Sequence, residues 1–191
     1  MKPERGQLIR LRPEAHARDL SDDGLVAACA TEDRAARALL FERYVDAVHR
    51  FVRRMRASDP DCVDDLVQAT FLAAYQGAAR FRGGHVRGWL FGIACNQVRG
   101  YARTEIRRKR ALEVVAELVP TPRTSDPMLV ARLPEAIAAL PHDLRAAIVL
   151  VDLEGERGHE AAAILGIPTG TLWRRVFEAR QALRAAIGGA R

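Results

Sequence analysis

The chain has 191 residues, 49% of them hydrophobic, and a formal charge of +6, enough apolar material to fold as one mid-sized or two small units unaided by metals or disulfides. Cys29, Cys62 and Cys95 are odd in number and far apart, with no histidine at metal-ligand spacing, which excludes a disulfide scaffold or a zinc site of ordinary spacing. Lys2 and Lys109 are the only lysines, so arginine carries the positive charge; its planar fork grips phosphates and guanine edges and favours a polyanionic partner, although a genome that encodes Arg in place of Lys gives the same composition.

The opening stretch, MKPERGQLIRLRPEAHARD, is charged throughout and has no apolar segment. It reads as a mobile extension over residues 1–21, neither signal peptide nor membrane anchor, and a reducing cytoplasm is expected. From Asp22 to about Arg56, Leu40, Tyr44, Val48, Phe51 and Met55 recur at three- and four-residue intervals and form one helical stripe. After ASDPD, whose acids suit a helix start, Val63, Leu66, Val67, Thr70, Phe71 and Ala74 form a second. The loop RFRGGH carries paired glycines, and beyond it Val86, Trp89, Leu90, Ile93, Ala94, Val98 and Tyr101 form a third stripe. Trp89, at helical spacing from Ile93, is expected in the core. TEIRRKRALEVVAELVPTPRTSDP then passes from a basic run to a segment broken by Pro120, Pro122 and Pro127, the expected linker.

Past the linker, Met128 to Leu140 forms a helix, LPHD caps the next through Asp143, and Leu144 to Leu153 follows. GHEAAAILGIPTGTLWRRV reads as a short helix, a turn at Gly166 to Pro168, and a longer helix from about Thr169 to Ile187. No strand alternation is sustained anywhere, so the fold class is all-α: two small helical domains joined by a flexible linker. A short Ala-rich helix, a glycine turn and a basic helix describe a helix-turn-helix, whose second helix enters the major groove. On a wheel of about 100° per residue, Leu172, Val176, Ala179, Leu183 and Ile187 face inward. Arg174 and Glu178 point away, with Trp173 and Phe177 on one flank and Arg175 nearer the other. Arg174 and Arg175 suit phosphates or guanine edges, Thr171 and the first-turn N–H groups a phosphate, and Trp173 a thymine methyl or sugar. Trp173 and Phe177, one turn apart, equally suit packing against a neighbouring helix.

No catalytic residues are expected. HEAAA at His159 has Ala163 where a zinc-protease signature needs its second histidine, there is no phosphate loop or GxSxG, and the five histidines lie apart. No cofactor or metal is therefore implied. A helix-turn-helix alone also fits a conventional transcriptional regulator, or an interaction protein that does not direct initiation.

DDLVQATFLAAYQGAARFRGGHVRGWLFGIACNQVRG resembles the promoter-melting domain of sigma-70 family RNA polymerase sigma factors. AIAALPHDLRAAIVLVDLEGERGHEAAAILGIPTGTLWRRVFEARQALR resembles their C-terminal DNA-binding domain. Both blocks in this order, with no third domain between them, are typical of the extracytoplasmic function group. The resemblance implies a region 2 domain over residues 22–108, a linker over 109–127 and a region 4 domain over 128–191. It implies polymerase-core binding by Asp64, Asp65, Leu66, Gln68, Phe71 and Leu72. The −10 element would fall to Phe81, Arg82, His85, Asn96, Arg99 and Arg103, with Arg107 and Arg108 along the strand path. The −35 element would fall to Arg157, Thr171, Trp173, Arg174, Arg175, Phe177 and Glu178. Implied partners are the polymerase core, promoter DNA and an anti-sigma factor. The family usually carries a small hydroxyl residue at Arg174, basic residues at Trp173 and Glu178, a Tyr or Ser near Gly158 and an acid at Gly100, so its common −35 consensus does not transfer to this chain.

Overall fold

A computed structural model describes residues 20–56, 59–113 and 129–188. Its regular elements there are all helical. In the first unit, α1 (Asp22–Ala30) starts where Ser21 Oγ accepts the Gly24 N–H at 3.2 Å, with Asp22 and Asp23 set against the positive end of the helix dipole. Helix α2 (Arg34–Met55) begins at Asp33, whose carboxylate accepts the N–H groups of Ala35 and Ala36 at 2.8 and 3.2 Å. The single stretch expected from Asp22 to Arg56 is thus two helices, and Glu32, at φ 63°, makes the break.

Helix α3 (Val63–Gly77) follows a 3-10 turn at Pro60–Cys62. The acids before it do not cap it: Asp59 instead holds the buried Arg56 guanidinium at 2.6 Å, with Glu105 on the same group at 3.0 Å. The three predicted stripes converge on one core, in which the Phe51 and Phe91 rings stack at 4.5 Å between α2 and α4 (Val86–Glu113). Helix α4 runs on to Glu113, five residues past the expected boundary at Arg108; the expected linker residues 114–127 lie outside the described residues, as does most of the N-terminal extension.

The second unit comprises α5 (Leu129–Ala139), α6 (His142–Ile148) with a π-helical turn at Val149–Leu153, α7 (Gly158–Leu165) and α8 (Thr169–Gly188). Pro141 occupies the cap position of α6 and Asp143 lies in its first turn, its carboxylate engaged elsewhere. Gly166 ends α7 in the left-handed region at φ 64°, and its N–H and that of Ile167 return to the carbonyls of Ala163 and Ala162. That turn sets α8 across α7, and Leu172, Val176, Ala179 and Leu183 are buried as the wheel predicts.

The two units pack together through α4 against α7 and α2 against α5 and α6. Arg145 ties them: its guanidinium donates to the Met55 carbonyl at the end of α2 at 2.6 Å and to the carbonyls of Leu140, at 2.8 Å, and Ala138. A cation suits these unpaired carbonyls at helix C-termini.

Candidate nucleic-acid interface

Gly83 and Gly84, at φ 85° and 100°, carry the chain through a turn that a side-chain-bearing residue would resist, and so deliver Phe81, Arg82 and His85 to the start of α4. The Gly84 N–H is tethered to the Asp23 carboxylate at 3.3 Å. Behind the turn lies a cavity of about 560 Å³ lined by Phe81, Arg82, His85, Trp89 and Asn96 on one side and Glu160, Ala163 and Ile164 of α7 on the other. Four expected −10 residues therefore share one concavity. Trp89, expected in the core, is only half-buried and forms its wall, with its ring 5.0 Å from that of Phe81. Gly88 and Gly92 let α7 approach: a methyl group on Gly88 would stand 3.0 Å from Ile164 Cδ1, and one on Gly92 3.2 Å from the Ile164 carbonyl.

Several arginines meet carboxylates of the second unit where the two units pack. Arg99 of α4 and Arg175 of α8 both pair with Asp143, at 2.8 and 3.0 Å, so one acid holds an expected −10 residue and an expected −35 residue. Arg54 and Arg87 donate to the almost fully buried Glu154 at 2.5 and 2.8 Å. Glu156, equally buried, faces His85 Nδ1 at 3.4 Å and Arg87 at 3.6 Å; burial holds its carboxyl above the usual range despite these neighbours. His85, Glu156 and Glu160 each bring a ligating atom within 4.8 Å of the others; Arg87 stands 3.6 Å from Glu156 Oε1, which has no hydrogen-bond partner, and the Arg157 N–H donates to Glu160 at 3.2 Å. Arg103 and Arg107 are exposed, and the side chain of Arg108 lies outside those described. His142 sits among Arg99, Arg103, Asp143 and Arg145, and burial pushes its imidazole down to about 4.

On α8, the side chain of Arg174 is 71% exposed, 3.7 Å from Glu178 one turn on. Trp173 and Phe177 stand 47% and 58% exposed, and neither is absorbed into the helical core. Arg157 is exposed and Thr171 half-buried. Arg175 is turned inward to Asp143, which the helical wheel did not reveal because its partner lies 32 residues away.

The expected docking helix α3 divides. Asp64, Asp65 and Gln68 are exposed and Leu72 is 54% exposed, whereas Leu66 and Phe71 are buried and cannot touch a partner without unfolding the unit. The stripe predicted for α3 already contains both residues, so its periodicity pointed inward for them. Phe41 of α2, which the sequence reading did not select, is exposed and packs its ring 4.8 Å from that of Phe71, adding apolar surface beside Leu72.

The family described as Sigma-70 region 2 matches residues 40–110, and that described as Sigma-70, region 4 matches residues 131–183. The ECF RNA polymerase sigma factor SigE of Mycolicibacterium smegmatis is 33% identical over 165 residues, which cover 81% of this chain and 64% of that protein. The ECF RNA polymerase sigma-E factor of Haemophilus influenzae is 31% identical over 188 residues, covering 90% and 97% of the two chains. Among solved structures, the sigma factor RpoE of Bartonella quintana, crystallised with the anti-sigma factor NepR, superposes with a TM-score of 0.64 at 27% identity over 79% of this chain and 96% of that one.

Proposed function

The chain belongs to the sigma-70 family of RNA polymerase sigma factors, in its extracytoplasmic function group, and from that membership we propose that it binds the polymerase core and directs initiation at promoters bearing −10 and −35 elements. The observation that supports the reading is the presence on one chain of two different surfaces whose chemistry suits DNA. One is a concavity lined by Phe81, Trp89 and Asn96 into which an unstacked base can be placed; the other is a helix-turn-helix whose second helix exposes Arg174, Trp173 and Phe177.

The chemistry of each site suits its part. A flipped base needs aromatic walls and an amide that can both donate and accept, and the strand leading from it needs cations, here Arg82, Arg99 and Arg103. The −35 duplex is read from the major groove by side chains near the start of α8. Asp64, Asp65, Gln68 and Leu72, joined by Phe41, dock on the core. The span 22–108 performs melting and docking, the span 128–191 reads the −35 element, and residues 109–127 join them. Such tethering raises the local concentration of each weak site once the other is bound. The work is done by binding, with no covalent step.

The packed state sets a condition on this function. Glu160, Ala163 and Ile164 wall the cavity, and Asp143 occupies Arg99 and Arg175, so DNA engagement requires these contacts to give way. An anti-sigma factor is a further proposed partner, by analogy with the Bartonella relative. Transcription in vitro with purified core polymerase on genomic fragments tests the reading. Promoter-specific transcripts that depend on this chain are expected; a chain that forms no complex with core, where an established initiation subunit does, refutes it.

A further inference from the structure

Gly158 opens α7, and the Trp173 indole of α8 lies directly over it. A methyl group built on Gly158 would stand 2.5 Å from Trp173 Cζ2, 3.0 Å from Cε2 and 3.3 Å from Nε1. The first of these separations is below any real carbon–carbon contact, so the indole occupies the space that a side chain at position 158 would fill. The contacting edge is the one that carries the ring nitrogen. The opposite edge, all carbon, is therefore turned away from α7, on a side chain that remains 47% exposed.

We infer that Trp173, seated on the bare backbone of Gly158, reads the 5-methyl group of one thymine in the major groove of the −35 element. The inference rests on the proposed role of α8. Trp173 is the fifth residue of that helix, within the stretch from which recognition helices reach base edges. Phosphates and base heteroatoms need donors or acceptors, and the outward edge of the indole has neither. The thymine methyl is the one apolar feature that a base pair presents in the major groove. The indole already rests against the Gly158 backbone, and a side chain so placed before binding favours a specific contact over loose coverage. Arg174, adjacent and open, supplies the polar contact that fixes register, and Phe177 widens the apolar surface by one turn.

The test uses the full chain bound to core polymerase. Selection from templates randomised across the −35 region defines the preferred element, and each thymine in it is then replaced by deoxyuridine, which removes only the methyl group. At one position the wild-type chain is expected to lose about fourfold in initiation, the effect of withholding one methyl from burial. Trp173→Ala is expected to transcribe thymine and deoxyuridine templates equally. Gly158→Ser, which evicts the indole without touching Trp173, is expected to lose the same methyl sensitivity, and the double substitution to lose nothing more. An unchanged helical circular-dichroism signal and melting temperature show that the variants are folded, and retained core binding shows that they still assemble with polymerase.

Methyl sensitivity absent from the wild-type chain, or surviving both single substitutions, overturns the inference and leaves the indole as surface for a protein partner. Failure of the underlying reading looks different: no −35 preference emerges from the selection, or Arg174→Ala leaves −35 use intact, and the thymine contact then falls with it.

Discussion

Replacing Asp143 by asparagine isolates the contact that joins the two proposed DNA-binding surfaces. The carboxylate holds Arg99 at 2.8 Å and Arg175 at 3.0 Å, and these are partly exposed pairs, each worth about 0.2–1 kcal/mol after solvent screening. Losing both removes about 0.4–2 kcal/mol of competition with DNA, roughly a two- to thirtyfold gain in affinity for a promoter duplex. Salt dependence gives a sharper reading. An arginine already neutralised by a carboxylate releases no counterion when it meets a phosphate, whereas a free one adds about 0.9 to the slope of log K against log salt. Fluorescence anisotropy of a labelled duplex titrated with Asp143→Asn over a salt series should therefore give a slope steeper by about 1–2 than wild type. Adding Arg175→Ala should return about half of that increment. An unchanged slope, with both arginines present, would show that Asp143 does not withhold them from DNA.

Arg174→Ala is expected to weaken use of the −35 element by about 1–3 kcal/mol, read as transcription from promoters with intact and scrambled −35 sequences, while core binding is unchanged. On α3, Leu72→Asp should reduce co-purification with core polymerase at unchanged melting temperature, because the side chain is exposed; Phe71→Ala, at a buried site, should instead cost about 3–5 kcal/mol of stability by denaturant titration. The imidazole of His142 titrates near 4 in the folded chain and near 6.5 when unfolded. Between those values the unfolded chain binds more protons, so stability present above pH 6.5 is lost as pH falls towards 4. His142→Leu should flatten that part of a thermal-melt pH profile.

Local periodicity determined most of the architecture. Most of the stripes on α2, α3 and α4 and of the inward face of α8 is buried as the sequence predicts, because a 3.6-residue repeat of apolar side chains is satisfied once a second helix covers it; Tyr101, at the far end of the α4 stripe, is instead 37% exposed, and Trp89, Ile93 and Ile187 are half-buried. Paired glycines placed the turn before α4, and Gly166 placed the turn of the helix-turn-helix, because only backbones that tolerate positive φ pass there without strain. Phe81, Arg82, His85 and Asn96 of the cavity were legible as a group because they lie within sixteen positions on one loop and the helix after it, whereas its opposite wall, Glu160, Ala163 and Ile164, comes from a helix that only the fold brings near.

What the sequence did not disclose depends on pairs far apart in the chain. Asp143 looked like a helix cap and is an ionic clamp on Arg99 and Arg175, 44 and 32 residues away. Leu66 and Phe71 carried docking assignments although their periodicity pointed to the core. Phe41 lay on another helix from the proposed docking surface, and only its ring contact with Phe71 brings it there. The bareness of Gly158 acquires meaning only when Trp173 is laid across it. Helical repeat is a property of neighbouring residues, whereas a salt bridge or a filled gap depends on where two helices meet, and that meeting is set by the whole packed core.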